Sequence, residues 1–345
     1  MISAGSIRFT PTEDHNSTPA IPADIHPMKP EEADGVRGLM QAVYLNSYPI
    51  KYVYDPTLLR EKNANSKITS VVATDTRGQV IGYVALSTYS GYPEIGLLSS
   101  LAVDPRCRGR GLGGQLARHL ITVSEGRGFV CLTGGAFTVH PYSQQILGEV
   151  GFCPSVFLPG SQPKGISLQG IAEKLRQRES VVLFSKVISP EEYGPQYLPP
   201  NHGKIILEIC DKLGMRIISG CGGFPSSGHT LAEHEINHET GNGLIRIRRI
   251  GPDYREILGG NIRELDTVET KTLRLHLDLS DPGSPAAVAA AEKKGFVFAG
   301  ILPGKKGLIL ILQYFKKSPR SLKKIHMNNP SGERLLSYIR SQTTK

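Results

Sequence analysis

The passage that most restricts how this chain can fold runs Leu101-Ala-Val-Asp-Pro-Arg-Cys-Arg-Gly-Arg-Gly-Leu-Gly-Gly114. An apolar run stops at Pro105, a loop dense in glycine and arginine follows, and Leu112, Leu116, Leu120 and Val123 then recur at helical spacing. A strand that feeds a tight loop and then an amphipathic helix belongs to an α/β architecture. Gly109, Gly111, Gly113 and Gly114 let the backbone turn sharply and present successive N–H groups. At a helix N-terminus such donors suit a pyrophosphate, and Arg106, Arg108 and Arg110 add charge that reaches peripheral phosphates. A glycine loop chosen only for a tight connection has the same spacing, so spacing alone does not decide. No Lys-Ser/Thr follows the glycines, which excludes a nucleoside-triphosphatase loop. The glycines also follow a fourth strand rather than a first, which disfavours a Rossmann site.

The surrounding elements come in an order that is used twice. A helix is read after Pro30, with Glu31, Glu32 and Asp34 in its first turn. Strand-like runs follow at 68–74, 80–86 and 95–103, and after the glycine loop and its helix another at 129–139. Pro141 opens a short helix closed by Gly151-Phe152, and 181–187 is the last strand of this half. Then 244–250 reads as a strand and 253–270 as a helix, and Leu273, Leu275, Leu277 and Leu279 alternate with polar residues. Pro285 opens a helix closed by Gly295-Phe296, and two apolar strands finish the unit. An internal duplication accounts for both halves. The expected division is a loose leader (1–22), a first α/β domain (23–189), a degenerate second domain (190–315) and a basic tail (316–345). Pro190, Pro195, Pro199 and Pro200 mark the central boundary.

On these residues the chain resembles the GNAT superfamily of acyl-CoA-dependent N-acyltransferases. The family signature is Arg/Gln-x-x-Gly-x-Gly/Ala after a strand ending in Val-x-Pro. It is met by Arg108-Gly-Arg-Gly111-Leu-Gly113 after Val103-Asp-Pro105, and the likeness covers about residues 23–189. The resemblance implies a GNAT-type twisted mixed α/β sheet flanked by helices, duplicated, with a degenerate second copy. It implies acetyl-CoA as cosubstrate and no metal. Arg108, Gly109, Arg110, Gly111, Leu112, Gly113 and Gly114 would bind its pyrophosphate. Leu101, Ala102 and Val103, splayed by a bulge, would pair with the pantetheine arm as with another strand. The second half has only Gly251-Pro-Asp-Tyr254 at the place of the loop, so one coenzyme site is expected. His140-Pro-Tyr-Ser-Gln144, Phe157-Leu-Pro-Gly160 and Tyr197-Leu-Pro-Pro-Asn-His202 are similar to a subgroup in which some members are fused to anti-sigma-factor-like kinase domains.

The implied reaction is direct attack of an amine, small or on a protein, on an acyl thioester. An alkylamine has a solution pKa of about 10.4, so the site must take a proton and return one to the thiolate. Family members commonly use a Tyr four residues before the Gly-Phe pair as the acid, and here that position is Leu147. His140, where the family often has Asn, and Tyr142 are the candidate substitutes, His140 because imidazole titrates near neutrality. The structural alternative has His140 capping the helix and Tyr142 packing on the sheet. Glu94, the sole carboxylate between Asp75 and Asp104, is the candidate base, against the commoner solvated strand-end Glu. The missing Tyr leaves a second reading open, a regulatory protein in bacterial signalling that binds acyl-CoA without turnover.

Charge and composition exclude other classes. The net charge of the 345 residues is +9, but residues 316–345 hold eight basic residues and one acid. The remaining 32 basic and 30 acidic groups leave the body near neutral, which argues against a nucleic-acid groove. Apolar runs such as 307–312 are strand-sized, far short of the ~20 residues that span a bilayer, and the N-terminus has no secretion-signal pattern. Five cysteines without a C-x-x-C pair fit a reducing cytoplasm. His234-Glu-Ile-Asn-His238 spells a zinc-protease motif, but the local pattern is a hairpin. On a strand the two imidazoles stand about 13 Å apart. The expected partners are an amine acceptor and a signalling protein, with the chain an intramolecular pseudo-dimer or a homodimer and no membrane contact.

Overall fold

Val71, Val72 and Ala73 point alternately to opposite faces of one strand and all three are wholly buried, so that strand must be covered on both sides. The computed structural model describes residues 22–171, 174–189, 192–221, 223, 227–316, 322, 325 and 327–343. The first half contains β1 (Asp24–Pro27), α1 (Ala33–Tyr44), α2 (Pro56–Ala64), β2 (Ile68–Thr74), β3 (Val80–Tyr89) and β4 (Tyr92–Val103). It continues with α3 (Leu112–Ser124), β5 (Cys131–Phe137), α4 (Tyr142–Glu149), β6 (Cys153–Gln162) and β7 (Glu179–Val187). A connecting stretch carries β8 (Pro195–Gln196), α5 (Gly203–Lys212) and β9 (Ile218–Ser219). The second half has β10 (Leu231–Asn237), β11 (Asn242–Arg249), α6 (Tyr254–Leu265), β12 (Thr272–Asp278) and α7 (Ser284–Lys293). It ends with β13 (Val297–Pro303), β14 (Leu308–Phe315) and α8 (Pro330–Thr343).

Twelve strands form one sheet in the order β1-β2-β3-β4-β5-β7-β6-β13-β14-β12-β11-β10, and β8 pairs with β9 separately. The run β10-β11-α6-β12-α7-β13-β14 repeats β3-β4-α3-β5-α4-β6-β7. Each begins with an antiparallel hairpin and crosses by a helix to a parallel strand. A second helix then leads to an antiparallel pair whose last member lies beside that parallel strand. The fold is thus a duplicated, mixed GNAT-type sheet. The copies meet antiparallel through β6 and β13, Val156 opposite Gly300, where a Cβ on Gly300 would stand 2.1 Å from the Ser155 carbonyl oxygen.

Helices α3 to α8 cover one face. On the other face α1, α2 and Ile166 and Leu168 of the β6–β7 connector cover the β1–β4 end. Farther along that second face, Tyr89 and Tyr92 at the β3–β4 tip pack with Val181, Leu183 and, from the second copy, Ile309 and Ile311. The first copy's hairpin therefore reaches across onto the second: Arg248 lies 4.8 Å over the Tyr92 ring.

The segment read as a basic tail is docked where it is described. Leu335, Leu336 and Ile339 of α8 are buried across β6 and β13, because those two strands present apolar side chains that would otherwise face water at the junction. Its described cations are engaged as well. Lys316 meets Asp266, Arg334 donates twice to Glu208 at 2.8 and 3.0 Å, and Arg340 donates to the Leu322 carbonyl. The leader, apart from Pro22, and Lys317, Arg320, Lys323, Lys324 and Lys345 lie outside the described residues. His234 and His238 lie on and just after β10, against Asn261 and Glu269 respectively, each at 2.7 Å. Among the described residues no cluster of His, Cys, Asp or Glu is arranged to hold a metal ion. None of their helices is long and apolar enough to cross a membrane.

Candidate functional site

β4 and β5 run parallel but stay paired only from Ile95 opposite Cys131 to Leu98 opposite Gly134. Beyond that point β4 remains with β3 and β5 with β7, so the two strands part in mid-sheet and leave facing edges without a partner strand. The cause is local. Between Ala85 opposite Ser99 and Tyr83 opposite Ala102, β4 has one residue more than β3, and Ser100 adopts φ 58°. Such a bulge bends the strand and sharpens its twist. Tyr48 secures it from the α1 side, its phenol oxygen accepting from the Ser100 N–H at 3.2 Å. An unpaired strand edge is a template for another extended chain, and Leu101, Ala102 and Val103 lie on it. In the second copy β11 and β12 remain in register from Asn242 opposite Thr272 to Ile247 opposite Leu277, so no such opening forms.

The wedge ends at the glycine loop. Gly111 caps α3 with φ 75°, a conformation an L side chain holds only at a cost of about 1–2 kcal/mol. Nothing lies within 4 Å of where its Cβ would be, so the space in front of the helix is open. Behind it, the N–H groups of Leu112, Gly113 and Gly114 belong to the first turn, which has no acceptor within the helix, and the positive end of the dipole faces the same way. Gly113 serves packing too: a Cβ there would stand 2.7 Å from the Ile146 Cδ1, so this glycine lets α3 and α4 touch.

The three arginines of the loop do different things. Arg106 is exposed and forms a two-point pair with Asp104 at 3.0 and 2.8 Å. Arg110 is exposed beside Gly109. Arg108, which the family resemblance assigns to the pyrophosphate, is engaged by backbone carbonyls: its Nε donates to that of Val103 at 3.2 Å and its Nη1 to that of Gln169 at 2.6 Å. It ties the end of β4 to the β6–β7 connector. That connector is also held by Ser167 N–H on Ser47 Oγ at 2.8 Å and Gln169 N–H on the Val43 carbonyl at 3.0 Å. A cavity of about 420 Å³ opens there, lined by Leu45, Gln169, Gly170 and Lys174 among others.

His140 lies past the end of β5 and is 5% exposed. Burial, helped by the charge of Arg108, lowers its pKa to about 4. The expectation that this imidazole titrates near neutrality therefore fails, and its Nδ1 meets no partner. Tyr142 is 48% exposed rather than packed on the sheet, its ring 5.5 Å from that of His140. Glu94 stands apart from both. It precedes the paired part of β4, nine residues before Val103, which is about 30 Å at the strand rise. Leu147 is buried, so the usual acid position holds core packing instead.

Residues that sequence reasoning passed over surround the bulge. Tyr44, Tyr48, Tyr52 and Tyr54 recur at close spacing, and that run of phenols is the signal that was available. The pKa of Tyr52 is pushed up to about 12 by burial first and then by Tyr48, against a lowering by the Ser99 and Ser100 hydroxyls. The Ser99 and Ser100 hydroxyls are buried beside that phenol, at the bulge. Glu179, at the start of β7, accepts from the Thr138 N–H at 3.1 Å and Oγ1 at 2.7 Å. Burial raises its pKa against those bonds.

Residues 34–145 match the model of the acetyltransferase (GNAT) family. The uncharacterized N-acetyltransferase YhbS of Escherichia coli strain K12 is 38% identical over 91 residues, 25% of this chain and 51% of that protein. The chain thus spans about half the length of the curated relatives it matches. A crystal structure of YhbS from Escherichia coli in complex with CoA is 26% identical, covering 40% of this chain and 72% of that one with a TM-score of 0.30. The structure of yncA from Salmonella typhimurium with acetyl-CoA is 16% identical, covering 51% and 99% with a TM-score of 0.40. The chain carries, over residues 34–145, a domain of the GNAT acetyltransferase family.

Proposed function

We propose that the protein transfers an acyl group from acetyl-CoA to an amine. The observation that carries this reading is the parting of β4 from β5 at the Ser100 bulge, directly behind the open N-terminus of α3. The N–H groups of Leu112, Gly113 and Gly114 would hold the pyrophosphate, and the free edge at Leu101–Val103 would align the pantetheine amides. Bound there, acetyl-CoA supplies an activated acyl carbon. Transfer to an amine releases a proton from nitrogen and leaves a sulfur that must gain one. Tyr52 keeps its proton far above neutrality, so it donates and does not accept. It is the group beside the bulge suited to protonate the leaving sulfur. The amine's proton leaves through water, which reaches β5 at the exposed Gly135.

The second reading, an acyl-CoA-binding regulator without turnover, is favoured by the buried Leu147 at the usual acid position and by the depressed pKa of His140. Release of CoA thiol over a panel of small and peptide amines separates the two. Turnover that falls on Tyr52→Phe supports the transferase, whereas acetyl-CoA binding with no thiol release from any amine supports the regulator.

A further inference from the structure

On the acyl-transfer reading an amine must reach a thioester held between β4 and β5 from one face of the sheet, and one of the two faces is closed there. A Cβ on Gly134, the last residue of β5 still paired with β4, would stand 3.0 Å from Leu147 Cδ2 and 3.7 Å from Leu98 Cβ. Leu147 is itself buried, so α4 covers that side. The next residue, Gly135, belongs to the other face and is exposed. That face carries α1, α2 and the β6–β7 connector, and between α1 and the connector lies the cavity of about 420 Å³, a volume that suits a small organic molecule. Its wall at Leu45 directly follows Tyr44, whose ring lies 4.6 Å from that of Tyr48, and Tyr48 in turn holds the bulge. The cavity is thus two side chains away from the point where β4 leaves β5.

The lining is apolar at Leu45, Leu168 and Ile171 and carries a single ionic group, Lys174. Lys174 is exposed and, among the described residues, meets no carboxylate. Two further cations flank the cavity. Arg108 donates to the carbonyl of its lining residue Gln169, and a Cβ on Gly170 would stand 3.6 Å from the Arg108 Nη1. Lys51 donates to the Tyr48 and Asn46 carbonyls at 3.1 and 3.4 Å, beside Leu45. The described acids of the same walls are engaged already. Asp104 is held twice by Arg106, and Asp55 caps α2 by accepting from the Leu58 N–H at 3.1 Å. Three cations around one opening, with no free carboxylate among the described residues, give it a positive field.

We propose that this cavity takes, as acceptor, an amine that carries a carboxylate, with Lys174 meeting the carboxylate and Leu45 and Ile171 the apolar body. The ligand class rests on the cavity and its charges, and its role as acceptor rests on the acyl-transfer reading. A carboxylate gains from all three cations. A polyamine is repelled by the same three, so the field selects against polycationic acceptors as well as for acidic ones.

The test titrates the full chain, in the presence of CoA, with ω-amino carboxylates and dipeptides, each beside its own terminal amide, and with spermidine. Thiol release from acetyl-CoA is followed over the same set, so that binding and turnover are read apart. At least one carboxylate should bind about threefold or more tighter than its amide, the gain of a solvated ion pair. That preference should vanish in Lys174→Gln, reverse in Lys174→Glu and shrink as salt is raised, with acetyl-CoA affinity as in the wild type. Equal binding of carboxylates and amides, a preference that survives Lys174→Gln, tightest binding of spermidine, or no binding by any of the set would overturn the proposal. So would a loss of acetyl-CoA affinity in Lys174→Gln, which would give the cavity to the coenzyme. Thiol release with no preference for carboxylates would overturn it and keep the transferase. Lys174-dependent carboxylate binding without thiol release would uphold the ligand class and overturn the transfer reading alone.

Discussion

Arg108 Nη1 donates to the Gln169 carbonyl at 2.6 Å, joining the loop in front of α3 to the connector between β6 and β7. Its Nε holds the Val103 carbonyl at the same time. The side chain is therefore a tie between the two walls of the site. Arg108→Ala should lower stability by about 1–3 kcal/mol, the worth of hydrogen bonds to a charged group. It should also hasten proteolysis within residues 163–178 while changing acetyl-CoA affinity by less than about threefold. Limited proteolysis beside calorimetry reads both effects, and a large loss of affinity with an intact connector would return Arg108 to the phosphates.

Tyr48 and Tyr52 should separate binding from proton transfer. Tyr48→Phe removes the acceptor of the Ser100 N–H, and a buried unsatisfied donor costs about 1–3 kcal/mol. It should lower stability and weaken acetyl-CoA binding together by relaxing the bulge. Tyr52→Phe leaves the bulge in place. It should cut turnover by about 100-fold, the low end for a lost general acid, with coenzyme affinity unchanged. Equal turnover in wild type and Tyr52→Phe would remove this phenol from the reaction.

The depressed pKa of His140 gives stability a pH dependence of known sign. The imidazole has its ordinary value of 6.5 in the unfolded chain and about 4 in the folded one, so between these values the unfolded state binds the extra proton. The contribution is fully present above 6.5 and is lost as the pH falls toward 4. In urea titrations His140→Asn should lose part of the wild type's acid sensitivity in that window. The pH dependence of turnover near neutrality should not move, because His140 stays neutral there.

Much of the architecture was legible in the sequence, for reasons that differ by element. The duplication showed because each copy closes its second crossover helix with Gly-Phe, Gly151-Phe152 and Gly295-Phe296. The glycine loop showed because a tight left-handed turn into α3 demands small residues in a row. What was hidden depends on distant contacts. β1 is four residues long with a half-buried pattern, too short for a period to register. The engagement of Arg108 depends on a carbonyl 61 residues away, and the burial that depresses His140 comes from packing rather than from its neighbours in sequence. The tail reads as a separate basic segment because its charge is conspicuous, whereas the apolar stripe that docks it is only Leu335, Leu336 and Ile339.

That stripe yields its own prediction. Leu336 is wholly buried where α8 crosses from β6 to β13, and Leu336→Ala should cost about 2–5 kcal/mol. Because α8 spans both copies, the loss should appear in one cooperative urea transition. Two transitions, with only the second copy affected, would show that the sheet junction does not depend on this helix.

On the proposed reading one wedge, in the first copy alone, receives the coenzyme. Isothermal titration of acetyl-CoA into the full chain, beside Gly111→Val, tests it most directly. One site per chain is expected, with a loss of at least tenfold in affinity in the variant, whose side chain would require a left-handed backbone in front of α3. Two sites per chain, unchanged affinity in a folded Gly111→Val protein, or no binding to the wild type would contradict it.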